Sequence, residues 1–146
     1  MAANSVYLNY TGQAEEAFNF YKSVFGTDFI GGIMRHGDVP PWEGMPEMDD
    51  ATKQKVMNVQ LPIPGGLLLM ASDIVEGMGE PIVPGNNFSI GIHADSKEEA
   101  DRIFAGLSAG GHVTQPMADM FWGDYYGSFN DKFGIPWYVV VNAQQS

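Results

Sequence analysis

The chain has 146 residues, 45% of them hydrophobic, and carries 18 acidic against 7 basic side chains, for a net charge of −11. This length suits a single domain with a continuous core, and the negative charge argues against nucleic acid and membrane surfaces as partners, because both repel an acidic protein. There is no cysteine, which excludes disulfides, thiol nucleophiles and zinc–thiolate sites.

The N-terminal sequence gives no targeting signal. It lacks the basic and long apolar segments of a secretory leader, and no apolar run approaches the ~20 residues that a bilayer span needs. We therefore expect a cytoplasmic protein.

The first half of the chain predicts a strand, a helix and three further strands. Residues 6–10 form a β-rich run, and residues 14–25 show the i, i+3, i+4, i+7 apolar spacing of a helix, which Gly26 ends. Residues 29–34 are typical of a second strand, and the apolar runs at 56–61 and 67–71 predict a hairpin.

Two segments interrupt this pattern. Residues 36–55 hold three prolines and an acidic cluster without apolar periodicity, which indicates a long surface loop of the kind that forms lids or interface arms. Residues 73–87 contain five glycines or prolines between apolar strands, so we interpret them as a linker.

The second half repeats the order of the first. Residues 88–93 predict a strand, and Ser96 followed by Glu99 has the spacing of a capping box at the start of a helix. Gly110 and Gly111 stop that helix. Three strands are then predicted, at residues 112–117, 122–129 and 137–141.

The two halves share a motif as well as an order of elements. Glu15-Glu16-Ala17 recurs as Glu98-Glu99-Ala100, at an offset of 99 − 16 = 83 residues. The chain is therefore expected to be a single α+β domain, residues 1–146, built from two βαβββ modules at 5–72 and 88–142, with the acidic loop 36–55 inside the first module.

At this point the sequence resembles a known family. The opening YLNYTGQAEEAFNFYKSVFG and the closing FWGDYYGSFNDKFGIPW are similar to the PhnB-like branch of the vicinal oxygen chelate superfamily, which includes glyoxalase I, extradiol dioxygenases and bleomycin resistance proteins. The branch often carries a demethylubiquinone methyltransferase label. The resemblance implies a curved mixed sheet around a cavity, with modules paired within one chain or between two, and we expect a homodimer.

The superfamily usually holds a divalent metal through one side chain from the first and one from the last strand of each module. The resemblance and the repeat offset place these positions at Val6, Met70, Ser89 and Tyr138. None is a good ligand for a hard divalent metal, and His36, His93 and His112 have no partner at a ligand spacing. We therefore expect neither a metal nor another cofactor.

Other residues bear on whether the cavity is catalytic. Relatives commonly have histidine and glutamate where this chain has Asn58 and Gln60, and amides do not exchange protons near neutral pH. Strand alternation puts Trp122 beside Asp124, which is either a base with a raised pKa or a carboxylate that holds a loop amide; we favour the second. Trp122, Met70 and Tyr138 are expected to form an apolar and aromatic wall.

Three functions remain open. The first is metal-free binding of a small molecule in this cavity, with the acidic surface favouring a cationic or planar aromatic ligand. The alternative is a metal-dependent glyoxalase, dioxygenase or isomerase whose ligand register differs from the one above. Methyl transfer is the least favoured, because no strand is followed by the glycine-rich turn and helix of a nucleotide-type cofactor fold.

Overall fold

The computed structural model describes residues 4–40, 42–45, 47–75, 77 and 79–143. The chain divides into two compact units, Met1–Val83 and Pro84–Ser146. Each unit is a four-stranded mixed sheet with one long helix, in the order strand, helix, three strands. The α+β fold of two βαβββ modules is thus confirmed.

The first unit contains the acidic loop between its second and third strands. Its elements are β1 (Ser5–Tyr10), α1 (Ala14–Phe25), β2 (Met34–Arg35), α2 (Asp50–Gln54), β3 (Val56–Ile63) and β4 (Leu67–Asp73). The sheet order is β1-β4-β3-β2, with β1 parallel to β4 and the other neighbours antiparallel. Before α2, the loop forms one 3₁₀ turn, His36–Asp38, and Asp49 caps α2 by accepting the Thr52 N–H.

Helix α1 is held by an apolar stripe and by a distant carboxylate. Ala14, Ala17, Phe18 and Tyr21 are fully buried, and Gly26 ends the helix in the left-handed conformation (φ 72°). The start of α1 has no side-chain cap of its own. Its free N–H groups instead reach Asp73, at the end of β4.

Asp73 is buried and is the last residue of β4. The sequence had predicted it as the first residue of the linker 73–87. One carboxylate oxygen accepts the N–H groups of Gly12 and Ala14, each at 3.0 Å, and the other accepts the N–H of Val56 at 2.9 Å. The carboxylate therefore joins the start of α1 and the start of β3 to the end of β4. The predicted linker is correspondingly shorter at its N-terminal end.

The second unit has the same arrangement without the long loop. Its elements are β5 (Ile90–His93), α3 (Lys97–Ser108), β6 (His112–Asp119), β7 (Tyr125–Asn130) and β8 (Pro136–Val141). The sheet order is β5-β8-β7-β6, with β5 parallel to β8. As predicted, Ser96 caps α3: its hydroxyl accepts the Glu99 N–H.

A second buried aspartate organises the turn between β7 and β8. Asp131 is 3% exposed and accepts the N–H groups of Phe133 and Ile135 on one oxygen and the indole N–H of Trp137 on the other. These residues lie in the closing sequence that carried the family resemblance. Asp131 therefore has a structural role, because it holds the turn between β7 and β8 together.

Three predicted strands are shorter than expected, and one of them, β5, begins at Ile90 rather than at residue 88. Residues 29–33 are irregular because Gly31 and Gly32 adopt left-handed conformations (φ 72° and 75°), so that strand is reduced to β2. Trp122 lies in the turn before β7, where the Gly123 N–H donates to the Met120 carbonyl. Among the described helices, none combines the length and apolar character needed to cross a bilayer.

Each sheet has a face covered by its long helix, the helix face, and an opposite face, the open face. In the first unit the rings of Tyr10 and Phe18 pack edge to face, which places Tyr10 on the helix face. Strand alternation then puts Leu8 and Val6 on the same side and Tyr7 on the open face. In the second unit Phe129 contacts Phe104 of α3, so Phe129 and its cross-strand neighbour Trp137 mark the helix face.

Candidate functional site

Tyr138 is the centre of the open face of the second sheet. Strand β8 pairs it with Gly91 of β5 and with Ser128 of β7. The Tyr138 ring lies across Gly91, in the space that a side chain there would occupy. Glycine in this strand therefore permits the close approach of an aromatic ring to the backbone.

His93 lies beside Tyr138 at the end of β5. The two rings meet edge to face with centroids 6.0 Å apart, and the tyrosine hydroxyl is 3.5 Å from His93 Nε2, the outer limit of a hydrogen bond. On its other side His93 Nδ1 is 2.9 Å from Asn142 Oδ1, an acceptor, so Nδ1 carries the proton. Nε2 is then the basic nitrogen and faces the tyrosine hydroxyl.

Tyr126 extends this aromatic surface. Its ring is stacked on that of Tyr138, with centroids 5.8 Å apart and an interplanar angle of 30°. Both rings are partly exposed. A planar ligand thus has two neighbouring aromatic rings on which to pack.

The same unit has a pocket of ≈ 580 Å³, and its lining includes Ser128, the cross-strand neighbour of Tyr138. This volume falls within the range of about 300 to 1,000 Å³ that is usual for small-molecule sites. The side chains around it are mostly neutral hydrogen-bonding groups, among them Ser89, Thr114, Ser128 and Asn130. The Thr114 and Ser128 hydroxyls are 2.7 Å apart, so one donates to the other. The lining is more polar than the apolar and aromatic wall expected from the sequence.

The open face of the first sheet carries a separate row of side chains. Tyr7, Met70 and Gln60 lie side by side on three neighbouring strands, β1, β4 and β3. Tyr7 is 49% exposed. Asn58 lies two residues before Gln60 and pairs with Met34 of β2. Three of the predicted residues, Asn58, Gln60 and Met70, therefore occur together on this sheet.

Val6 is not part of that row. It pairs with the buried Leu69, and its side chain lies on the helix face with Leu8 and Tyr10. The family resemblance placed Val6 in the cavity, and the 83-residue offset then matched it to Ser89. That offset is correct for the helices, since Ala17 and Ala100 are both buried (100 − 17 = 83). The buried strand residues Leu8 and Ile92 are instead 84 residues apart (92 − 8 = 84), one more than the offset between the helices. Because successive side chains of a strand point to opposite faces, this one-residue difference puts Val6 and Ser89 on opposite faces of their sheets.

Asp124 and Trp122 form a local structural unit. Asp124 accepts the Ala143 N–H on one oxygen, at 2.8 Å, and the Trp122 indole N–H on the other, at 3.1 Å. Asp124 therefore has the loop-holding role that the sequence favoured. Trp122 is 53% exposed in the turn before β7, packed against the exposed Phe121.

The divalent metal of the superfamily does not fit these residues. Within the described ranges, no three His, Cys, Asp or Glu side chains converge where they could hold an ion. Of the four positions expected to match the family ligands, Val6 points to the helix face, and Met70, Ser89 and Tyr138 offer a thioether, an alcohol and a phenol. A hard cation prefers carboxylate or imidazole donors.

One tyrosine has a strongly shifted pKa, but it lies on the helix face. Tyr125 donates its hydroxyl proton to Asp101 of α3 at 2.6 Å, and this hydrogen bond to a carboxylate raises the pKa of Tyr125 to about 12. Tyr125 therefore keeps its proton at neutral pH. Proton transfer at the open face would fall to His93 and its neighbours.

Sequence reasoning identified Tyr138 and Ser89 but missed His93, Tyr126 and Ser128. It considered His93 as a possible metal ligand and found no partner for it at a ligand spacing. Alternation from Ser89 through Gly91 would have placed His93 on the same face, because side chains two apart on a strand share a side. A glycine inside a predicted strand was the second usable signal.

Comparison with known proteins gives one family and several full-length relatives. A family model described as 3-demethylubiquinone-9 3-methyltransferase matches residues 2–140. Protein PA1353 from Pseudomonas aeruginosa, known from its crystal structure, is 33% identical with a TM-score of 0.81, over 97% of this chain and 98% of that chain. Protein YjdN from Escherichia coli K12 is 25% identical over 97% of this chain and 96% of its own length.

The fold is also shared more widely. A putative 3-demethylubiquinone-9 3-methyltransferase, the PhnB protein from Bacillus cereus, is 24% identical with a TM-score of 0.71, over 94% of this chain and 98% of that chain. Glyoxalase/bleomycin resistance/dioxygenase proteins of known structure are 13% and 14% identical, with TM-scores of 0.60 and 0.63. At these identities the likeness concerns the fold alone.

Proposed function

Since the chain belongs to the 3-demethylubiquinone-9 3-methyltransferase family, the PhnB-like branch of the vicinal oxygen chelate superfamily, we propose that it binds a small molecule on this fold without using a metal. The binding surface is the open face of the second sheet. The observation that carries this proposal is the placement of the Tyr138 ring over Gly91, between His93 and Tyr126. Ser128, the cross-strand neighbour of Tyr138, also lines the ≈ 580 Å³ pocket.

The chemistry of the surface indicates the class of ligand. Stacked tyrosines favour a planar group, and the hydroxyls of Thr114 and Ser128 suit a ligand with neutral hydrogen-bonding atoms. The net charge of −11 attracts cations and repels anions over the whole surface. We therefore propose a planar ligand that is cationic or neutral.

A thermal-shift screen of cationic and planar compounds tests this proposal. A ligand of the native state raises the melting temperature by mass action. We expect the shift of a true ligand to be lost in Tyr138→Leu and kept in Trp122→Phe, since Trp122 lies in the turn before β7. A rise in melting temperature that survives in Tyr138→Leu, or that Trp122→Phe abolishes, would show that the ligand binds at another site.

The metal-dependent alternative needs a different ligand register. Moving the β1 position from Val6 to its open-face neighbours gives Ser5 or Tyr7, and neither is a histidine or a glutamate. This supports the metal-free function over a metal-dependent glyoxalase, dioxygenase or isomerase. Metal analysis of protein purified without chelator separates the two: a stoichiometric divalent metal that His93→Gln removes would refute the metal-free function.

Acid–base catalysis without a metal is a second candidate function. It is favoured by His93, whose Nε2 is held toward the Tyr138 hydroxyl by the Asn142 contact on Nδ1. If the site is catalytic, turnover of an identified ligand would fall in His93→Gln while its binding remained. Equal turnover in His93→Gln and wild type would contradict a catalytic role for His93 and leave ligand binding as the only proposed function.

Methyl transfer, the reaction in the family's name, has no supporting feature in the described residues. The two parallel strand pairs, β1 with β4 and β5 with β8, lie in separate sheets. A nucleotide-type cofactor fold instead has an extended parallel sheet with a glycine-rich turn leading into a helix. Micromolar binding of S-adenosylmethionine, measured by calorimetry, would contradict this interpretation.

A further inference from the structure

The acidic loop of the first unit encloses a second pocket with a different chemistry. Its volume is ≈ 210 Å³, and it is lined by His36, Val39, Trp42, Met45, Met48 and Met57. Three thioethers, one imidazole and one indole thus surround one small space. We call it the methionine pocket. It lies wholly within the first unit, and none of its lining residues belongs to the surface around Tyr138.

The methionine pocket is small for an organic ligand. Its volume lies below the range of about 300 to 1,000 Å³ that is typical of small-molecule sites. It is also not closed like an ordinary core, because Trp42 is 51% and Met57 is 36% exposed. The pocket is therefore accessible from solvent and suited to a small occupant.

His36 has the tautomer expected of a metal ligand. Its Nε2 is 3.1 Å from the backbone carbonyl of Asp73, and since a carbonyl only accepts, Nε2 carries the proton. The lone pair is then on Nδ1. Histidines that bind metals commonly donate their other ring N–H to a backbone carbonyl in this way, which fixes the tautomer and the ring orientation.

The position of His36 is further fixed by its own backbone. The His36 N–H donates to the Lys55 carbonyl at 2.9 Å, just before β3 begins. A Cβ on the next residue, Gly37, would meet the side chain and backbone of Lys53. The 3₁₀ turn that carries His36 is therefore packed closely against the α2 segment.

The donor set selects a soft cation. Thioether sulfur is a poor ligand for hard divalent ions but a good one for Cu(I), which also accepts imidazole nitrogen. Methionine side chains have three rotatable bonds, so Met45, Met48 and Met57 can turn their sulfur atoms toward a common ion. The face of the Trp42 indole attracts a cation in addition.

We propose that the methionine pocket is a binding site for Cu(I), with Met45, Met48, Met57 and His36 Nδ1 as ligands and Trp42 in its wall. The exposed acids of the same loop, Glu43, Glu47, Asp49 and Asp50, raise the local concentration of cations around the pocket. Zn(II) and other hard or borderline divalent ions are excluded by the shortage of nitrogen and oxygen donors.

The test uses the full chain under anaerobic conditions, with Cu(I) supplied as its bicinchoninate complex. We expect the wild type to withdraw one equivalent of Cu(I) from the chelator and to quench the fluorescence of Trp42, a change that Trp42→Phe removes. Ag(I), a redox-inert probe of the same softness, should bind at the same site. Zn(II) should leave the fluorescence unchanged.

Variants assign the ligands. Met45→Leu/Met48→Leu keeps the apolar volume but removes two thioethers, so the affinity for Cu(I) should fall at least about tenfold. His36→Gln keeps a donor for the Asp73 carbonyl but loses the imidazole, with a similar fall. Met117→Leu/Met120→Leu removes two thioethers of the second unit and should bind like the wild type. Circular dichroism verifies that each variant is folded.

Two results would overturn the proposal. One is failure of the folded wild type to take Cu(I) from the chelator. The other is equal binding by wild type and Met45→Leu/Met48→Leu, which would leave the thioethers with a packing role only.

Discussion

The ring of Tyr138 occupies the space above Gly91 that a side chain on β5 would otherwise fill. Because Gly91 has no side chain, the ring can lie close to the β5 backbone. It also lies next to His93, whose Nε2 is 3.5 Å from the tyrosine hydroxyl. A residue without a side chain thereby determines the shape of the proposed binding surface.

The first prediction concerns Gly91→Ala. The added methyl group would overlap the Tyr138 ring, so the ring must leave its position, at a cost of about 1–3 kcal/mol in unfolding free energy. We expect weaker binding of any ligand found in the thermal-shift screen and loss of the NMR contact between the His93 and Tyr138 rings. Gly85→Ala is the control, because its Cβ would meet only Asn87, at an ordinary 3.7 Å.

The second prediction concerns Asp131→Asn. The new amide group would face either the Trp137 indole N–H or the N–H groups of Phe133 and Ile135, leaving at least one buried donor unpaired. We expect a loss of about 2 kcal/mol in urea unfolding. The matched change Asp119→Asn breaks only an exposed pair with Lys97 and should cost less than about 1 kcal/mol. Equal losses in the two variants would contradict this role for Asp131.

The third prediction is a pH dependence at Glu15. The Arg35 guanidinium donates to both oxygens of Glu15, at 2.9 and 3.0 Å, and holds the pKa of this carboxyl below its ordinary value of 4.5. A lowered pKa in the folded state means that the stabilisation is complete above pH 4.5 and is lost as the pH falls through the folded pKa. Because the pair is partly exposed, its contribution should stay below about 1 kcal/mol.

Replacing Arg35 tests this directly. In Arg35→Gln the pKa of Glu15, followed by NMR of its side-chain carboxyl carbon, should rise toward 4.5, and the acid-induced loss of stability should become smaller. Lys97→Gln is the control: it breaks a pair with Asp119 inside the second unit and should leave the Glu15 titration unchanged. An unaltered Glu15 pKa in Arg35→Gln would show that another group lowers it.

The fourth prediction is a homodimer, as the family resemblance implies. Large apolar side chains remain exposed in each unit, including Tyr7 at 49% and Phe88 at 47%, and a second copy would bury such surface. Sedimentation at micromolar concentration should give twice the chain mass of 15.9 kDa. A species of 15.9 kDa that persists at this concentration would refute the dimer.

The sequence predicted the helices better than the strand faces. The apolar stripe of α1, the Ser96 cap and the stop at Gly26 all depend on neighbouring residues, and all are present. The face of Val6 depends instead on the number of residues between strand and helix. A helix tolerates an error of one residue in such a count better than a strand does, because a strand reverses its face at every residue.

The candidate site was predictable only in part. Tyr138 and Ser89 followed from the resemblance, and the loop-holding role of Asp124 was the favoured one of two alternatives, although the predicted strand 122–129 included this residue. The hydrogen bond from the Ala143 N–H to Asp124 joins residues 19 apart, and the one between His93 and Asn142 spans 49 residues. Contacts at such separations depend on strand order, which no local pattern specifies.

The two buried aspartates, Asp73 and Asp131, differ in the sequence separation of their hydrogen bonds. This difference determines when each set of bonds can form during synthesis of the chain. Three N–H groups that donate to the Asp131 carboxylate lie 2, 4 and 6 residues away, so these bonds can form as soon as that short segment leaves the ribosome. Asp73 bonds to Gly12, Ala14 and Val56, which are 61, 59 and 17 residues away. The first amide groups of α1 therefore lack this acceptor until the ribosome has added β4. Although the first unit is made first, it acquires its complete set of hydrogen bonds only when its last strand has emerged.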